Sequence, residues 1–125
     1  MFRRVLIANR GEVAARVLRT LRRLGVQAVA IASEADRALG YLEDADEVVT
    51  LGGLRPYLDQ DAILDAALRT RCAAVHPGWG FLSENAVFAA RCEAARVSFI
   101  GPRPLSMRLM GDKALARDTM RRFGL

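Results

Sequence analysis

Apolar and polar positions alternate along this chain in two rhythms. Arg4 to Ala8 (RVLIA) is a short, nearly unbroken apolar run, the pattern of a strand buried on both faces. Asn9-Arg10-Gly11 breaks it, and from Glu12 the rhythm lengthens. Val13, Val17, Leu21 and Leu24 recur at spacings of four, four and three, with Ala14 and Leu18 alongside. That spacing predicts an amphipathic helix, opened by Glu12 at the positive end of its dipole and closed by Gly25. Gln27 to Ala32 (QAVAIA) returns to the strand pattern. The unit is β-α-β, which implies a right-handed crossover and a parallel pair of strands.

The same alternation continues. Ser33 to Asp36 is a polar turn, Leu39 to Ala45 a short helical piece, and Glu47 to Leu51 a third strand. Gly52-Gly53 opens a loop through Pro56 to Leu58. Asp59 or Asp61 starts a helix with Ile63, Ala66, Ala67 and Leu68 facing inward and Thr70-Arg71 closing it. Ala73 to Val75 is a fourth strand. A helix follows from Glu84 to Ala95, with Val87, Phe88, Cys92 and Ala95 in its apolar pattern and Ser83 as its N-cap. Val97 to Ile100 is a fifth strand, stopped by Gly101-Pro102-Arg103-Pro104. Leu105 to Met110 makes one or two helical turns, Gly111-Asp112 breaks them with Asp112 as N-cap, and Lys113 to Phe123 is a final helix. Strands alternating with helices predict an α/β fold: a Rossmann-like, doubly wound, mainly parallel sheet of about five strands.

Between the fourth strand and its helix lies the stretch Val75 to Asn85, VHPGWGFLSEN. It holds the only His, the only Trp, and three glycine or proline punctuators. In open α/β sheets ligands bind beyond the carboxyl ends of the strands, and glycine lets backbone approach them closely. A turn whose glycines serve only its geometry is the other reading, and the residues alone leave both open.

Composition bounds the rest. At 125 residues, 52% hydrophobic and 26% charged, the chain is one ordinary globular domain. No apolar stretch nears the ~20 residues of a membrane span, and MFRRVLIANRGE lacks a signal-peptide layout, so no membrane partner and a cytoplasmic location are expected. Cys72 and Cys92 stand far apart among apolar neighbours and read as reduced core residues, and with one His they make no metal site. The net charge of +5 rests on dispersed arginines without interleaved aromatics, which argues against nucleic acid. The dinucleotide fingerprint G-x-G-x-x-G is absent behind the first strand, where only Gly11 stands. Glu34 or Asp36 after the second strand therefore does not imply NAD. Arg16, Arg19 and Arg23 share one stripe of the first helix, either a solvated face or a contact surface.

Three side chains could carry chemistry. Glu84 is placed in the first turn of a helix behind a glycine loop, where the dipole favours its ionised form. His76 precedes Pro77 and is held extended. Lys113, the only lysine, follows Gly111-Asp112 and offers a point charge for phosphate. Each has an equally ordinary structural reading. At this level the chain is a small-molecule-binding α/β domain.

Five blocks in collinear order go further. VLIANRGEVAARVLRTLRRLG with the SEADR turn, DADEVV, VHPGWGFLSEN, FIGP and RLMGDKALAR together resemble the N-terminal domain of biotin carboxylase. That enzyme is a member of the ATP-grasp superfamily and a module of acetyl-CoA, propionyl-CoA, methylcrotonyl-CoA and pyruvate carboxylases. The resemblance implies a parent enzyme that uses Mg-ATP and bicarbonate to make carboxyphosphate and then carboxylates biotin held on a carrier domain. It implies that Trp79, Gly80 and His76 lie near biotin and that Glu84 joins the acidic network around magnesium and bicarbonate. By the same resemblance Lys113 contacts ATP, and Arg16 and Arg19 fall in a homodimer contact. The implied partners are the remainder of the carboxylase, a biotin carboxyl carrier domain and a carboxyltransferase. Residues 1–125 would be the biotin carboxylase N-terminal domain, with 105–125 starting the link to an ATP-grasp region. Neither ATP, magnesium, bicarbonate nor biotin is expected to bind this stretch tightly alone, and no metal ligand set is expected within it. The family usually has Tyr at Trp79, His-Val at Gly40-Tyr41 and Ser at Pro56. The alternatives are the N-terminal domain of another ATP-grasp ligase, such as carbamoyl-phosphate synthetase, or a non-catalytic interaction module.

Overall fold

The computed structural model describes residues 1–111 and 113–124, and for residues 110, 111, 113–116 and 119 the course of the backbone only. Five strands, β1 (Arg4–Ile7), β2 (Gln27–Ser33), β3 (Glu47–Leu51), β4 (Ala74–His76) and β5 (Ser98–Phe99), form one sheet in the order β3-β2-β1-β4-β5. Every pairing is parallel. The helices are α1 (Gly11–Arg23), α2 (Gln60–Arg69), α3 (Ala86–Ala94), α4 (Pro104–Gly111) and α5 (Lys113–Arg122). The helical piece expected at Leu39–Ala45 is a 3-10 helix (Gly40–Asp44), and a second one occupies Pro56–Leu58.

The side-chain period of two divides β1 between two cores. Val5 and Ile7 pack with Ala14, Leu18 and Leu21 of α1. Leu6 and Ala8 face the other way, into a larger core with Ile63 and Ala67 of α2 and Phe88 and Cys92 of α3. Right-handed crossovers explain the split: the chain steps from β1 outward to β2 and β3 on one face, then returns past β1 to β4 and β5 on the other. Cys72 and Cys92 are free, buried thiols, and burial pushes Cys92 up to about 11. At the opposite end of the sheet from the 75–85 loop, Arg4 donates to the Thr70 carbonyl, Gln27 Oε1 and Glu47 Oε2 at 2.8, 2.8 and 2.6 Å.

Three sequence expectations are corrected. The buried stripe of α1 is Ala14, Leu18 and Leu21, while Leu24 is exposed, because the helix meets the sheet along that narrower seam. Leu68 of α2 and Val87 of α3 are also exposed: Ile63 with Ala66 and Ala67, and Phe88 with Ala89 and Cys92, take the inward positions. The N-cap of α3 is Asn85, whose side chain accepts the Phe88 N–H at 2.9 Å, and not Ser83. The N-cap expected at Asp112 lies outside the described residues.

Candidate functional site

Strand order fixes where a site can form. Successive crossovers leave β1 and β4 in opposite directions, so the crevice between their carboxyl ends is the topological switch point. Two segments border it: Ala8–Gly11 behind β1, and the 75–85 loop behind β4. The Ala8 N–H donates to the His76 carbonyl at 2.9 Å, the last rung before the segments part.

The crevice is spanned by Asn9. Its amide Nδ2 donates to the carbonyls of Pro77 and Trp79 at 2.8 and 2.7 Å, and its Oδ1 accepts the Arg10 N–H at 2.8 Å. Gly78 lies against it with φ +66, and a Cβ there would stand 2.7 Å from Val13 Cγ1 and 2.8 Å from Asn9 Nδ2. Only glycine meets both demands, the left-handed backbone and the close approach. His76 completes the turn: its Nδ1 accepts the Gly78 N–H at 3.0 Å, so the neutral ring carries its proton on Nε2. Burial holds the His76 pKa below the usual imidazole value.

Beyond this clamp the loop reaches outward. Trp79 is 81% exposed and is flanked by Gly78 and by Gly80, which has φ +78 with open space around it. Phe81, at φ +45, takes the left-handed region without being glycine, and its ring packs 5.4 Å from that of Tyr57. Left-handed backbone at a non-glycine residue costs about 1–2 kcal/mol and persists where the surroundings enforce it. Glu84 is exposed, lies before the α3 N-cap, and makes no side-chain hydrogen bond or ion pair with a described residue. The expected first-turn position of Glu84 is thus corrected, because the helix begins two residues later, at Ala86.

The second wall of this region is polar. Arg10 donates Nε and Nη2 to the two carboxylate oxygens of Asp36 at 2.7 and 2.9 Å, and the Tyr57 hydroxyl donates to Asp36 Oδ2 at 2.7 Å. The Arg10 guanidinium, with the Tyr57 hydroxyl, holds the Asp36 carboxyl down at about 2. These residues border a cleft of about 700 Å³ with Ser33, Pro56 and Phe81. A second groove of about 470 Å³ runs along α1 between Phe2, Val17, Leu24 and Ile100, with His76 and Arg16 at its margin. It is an apolar trough on the α1 side of the sheet. His76, Trp79 and Gly80 therefore sit in one turn, but the His76 ring faces the α1 groove. Arg16 and Arg19 are exposed on α1, where Arg19 pairs with Glu12 at 3.3 Å. Lys113 begins α5, and its side chain lies outside those described.

Among the described residues no three His, Cys, Asp or Glu side chains are grouped to hold a metal ion, and no helix is long and apolar enough to cross a membrane. Sequence reasoning passed over Asn9, Arg10, Asp36 and Tyr57. Asn9 and Arg10 read as a strand break, and Asp36 as an acid without its glycines. The signal for their partnership is tertiary: 21 residues separate Asp36 from Tyr57, and 68 separate Asn9 from Pro77.

Comparison with known proteins identifies the family and the fold. The family description "Biotin carboxylase, N-terminal domain" matches residues 1–107. A biotin carboxylase of Allochromatium vinosum is 52% identical over 128 residues, covering 100% of this chain and 28% of that protein. The mitochondrial methylcrotonoyl-CoA carboxylase subunit alpha of Oryza sativa subsp. japonica is 51% identical over 125 residues, covering 98% of this chain and 17% of its own length. A solved structure of the biotin carboxylase domain dimer of Hydrogenobacter thermophilus 2-oxoglutarate carboxylase, in complex with MgADP, ADP and bicarbonate, superposes with a TM-score of 0.91 at 44% identity. It is matched over 100% of this chain and 28% of that one. The chain thus spans less than a third of each of these relatives.

Proposed function

Because the chain belongs to the biotin carboxylase N-terminal domain family, we propose that its 75–85 loop forms one wall of a biotin carboxylation site in a longer carboxylase. In that site Mg-ATP and bicarbonate supply the activated carboxyl group, and biotin on a carrier domain receives it. The observation that carries this reading is Trp79: an exposed indole between two glycines, presented at the switch point of the sheet. A flat aromatic face beside free backbone suits a small bicyclic ring with one apolar face and polar edges. Residues 1–125 act as the N-terminal domain, with 105–125 leading toward the nucleotide-binding part.

The described residues do not fit magnesium, since no carboxylate cluster stands among them. What this chain contributes is therefore placement. Trp79 and Gly80 border the biotin ring, Glu84 offers an exposed carboxylate at the far shoulder of the loop, and Lys113 lends a positive charge to ATP. His76 supports the turn from behind. The relatives serve carboxylases of different acceptors, methylcrotonoyl-CoA in one and 2-oxoglutarate in another. The step assigned to this domain is accordingly the one they share. A carboxyltransferase supplies the other half-reaction, and Arg16 and Arg19 on α1 meet a second copy in a homodimer.

The test is a full-length carboxylase carrying this domain, assayed with free biotin. Trp79→Ala lowers kcat/KM for biotin about tenfold, equivalent to about 1.4 kcal/mol at the transition state. Unchanged biotin kinetics would remove the loop from the site.

A further inference from the structure

The 75–85 loop is gripped on both shoulders by adjacent residues at the end of β1. Asn9, 2% exposed, holds the near shoulder: its two amide hydrogens serve the Pro77 and Trp79 carbonyls, which bracket Gly78. Its oxygen takes the Arg10 N–H, so the donor and acceptor ends are each fixed by their partners. A carboxylate at this place has no hydrogen for either carbonyl, and an aliphatic side chain has neither donor nor acceptor. Arg10 reaches the far shoulder indirectly. Its fork holds both oxygens of Asp36, Asp36 accepts from the Tyr57 hydroxyl, and the Tyr57 ring packs on Phe81, the residue with left-handed backbone. The Tyr57 hydroxyl also accepts the Ser33 N–H at 3.0 Å, so the ring cannot slide without losing two hydrogen bonds.

Between the two grips stand only Trp79 and Gly80. The indole is exposed, and the sole side-chain hydrogen bond to its backbone among the described residues comes from Asn9. We infer that Asn9 and Arg10 are positioning residues for the biotin-facing loop: Asn9 directly, and Arg10 through Asp36 and Tyr57, set where Trp79 stands. This rests on the reading of the loop as a biotin wall. None of the four touches a reacting atom. Their effect is to keep the indole within the narrow range of positions at which a bound ring can be carboxylated, where a displacement of about 1 Å costs up to a hundredfold in rate.

Two measurements test it. In the 125-residue chain Trp79 is the only tryptophan, so its time-resolved fluorescence anisotropy reports the loop alone. Asn9→Asp and Tyr57→Phe each enlarge the fast depolarising fraction about twofold. Leu18→Val, a core change in α1 that lowers the melting temperature and lies in the cluster that holds none of residues 75–85, leaves it unchanged. An unaltered anisotropy in both loop-clamp variants, or an equal rise in Leu18→Val, overturns the inference. In a full-length carboxylase carrying the domain, Arg10→Lys and Asn9→Asp lower kcat for free biotin about tenfold with a smaller change in KM, since placement rather than contact is lost. The two readings fail separately. If Trp79→Ala leaves biotin kinetics unchanged, the wall assignment falls. If Trp79→Ala impairs them while Asn9→Asp and Arg10→Lys do not, the wall stands and the positioning role falls.

Discussion

Gly78 shows how much one absent methyl group decides. Two separate costs meet there: a left-handed φ of +66, and a Cβ placed 2.7 Å from Val13 and 2.8 Å from Asn9. Gly80 bears only the first, since nothing lies within 4 Å of its Cβ position. Gly78→Ala is therefore expected to lower stability by about 2–4 kcal/mol, and Gly80→Ala by about 1 kcal/mol, with urea unfolding midpoints as the measure. Equal losses would show that backbone conformation alone matters at Gly78. The neighbouring His76 gives the turn a pH dependence whose sign follows from burial. Its pKa in the folded chain lies below the ordinary 6.5, so between the two values the unfolded chain binds a proton that the folded chain does not. Stability is full above pH 6.5 and falls as pH drops below it. Asp36, lowered from 3.8 to about 2 by Arg10 and Tyr57, adds a second decline that starts near pH 4 and runs down through about pH 2. His76→Asn, whose Oδ1 can still accept from Gly78, is expected to erase the upper decline and keep the lower one in a melting-temperature series from pH 8 to 2. A persistent upper decline would assign it to another group.

At the scale of elements, the sequence is legible wherever local period and burial coincide. The strand runs at Arg4, Gln27 and Glu47 appear within a residue of their observed bounds: β1 and β2 are buried on both faces and lose alternation, while the largely exposed edge strand β3 is marked by its β-branched Val48, Val49 and Thr50. Helix faces are less legible. In α1 the apolar stripe is wider than the contact, and only the position of the sheet selects Ala14, Leu18 and Leu21 over Val13, Val17 and Leu24. At the start of α3 the expected cap, Ser83, and the observed one, Asn85, stand two residues apart, and both residue types suit an N-cap. Phe88 decides between them: its side chain is fully buried and its N–H needs a partner, which is Asn85. Asn85→Ala is expected to cost about 1 kcal/mol and Ser83→Ala less than about 0.5 kcal/mol. A reversed order in thermal melts would return the cap to Ser83. The site is less legible in the sequence than the fold for a related reason. VHPGWGFLSEN announces itself locally, but its supports, Asn9, Asp36 and Tyr57, are ordinary residues until the sheet brings them together.

At the scale of the whole molecule, the proposed reading makes this chain one side of a site. Its switch-point crevice is already spanned by Asn9, its described residues group no carboxylates for a metal, and its chain spans 28% of the Allochromatium vinosum relative. If the domain supplies placement alone, its ligands gain little from it in isolation. Linkage makes this measurable: a ligand at 100 times its Kd stabilises the folded state by about 2.7 kcal/mol. For a domain of this size each kcal/mol moves the melting temperature by about 3–6 °C, between the values for smaller and larger domains. With millimolar MgADP, bicarbonate and biotin together, the melting temperature of the 125-residue chain is expected to move by less than about 1 °C, which places any Kd above the concentrations used. The same ligands are expected to raise that of a full-length carboxylase by several degrees. A shift of several degrees in the 125-residue chain would mean that a nucleotide or biotin site forms within these residues alone, and would overturn the reading of the domain as placement only.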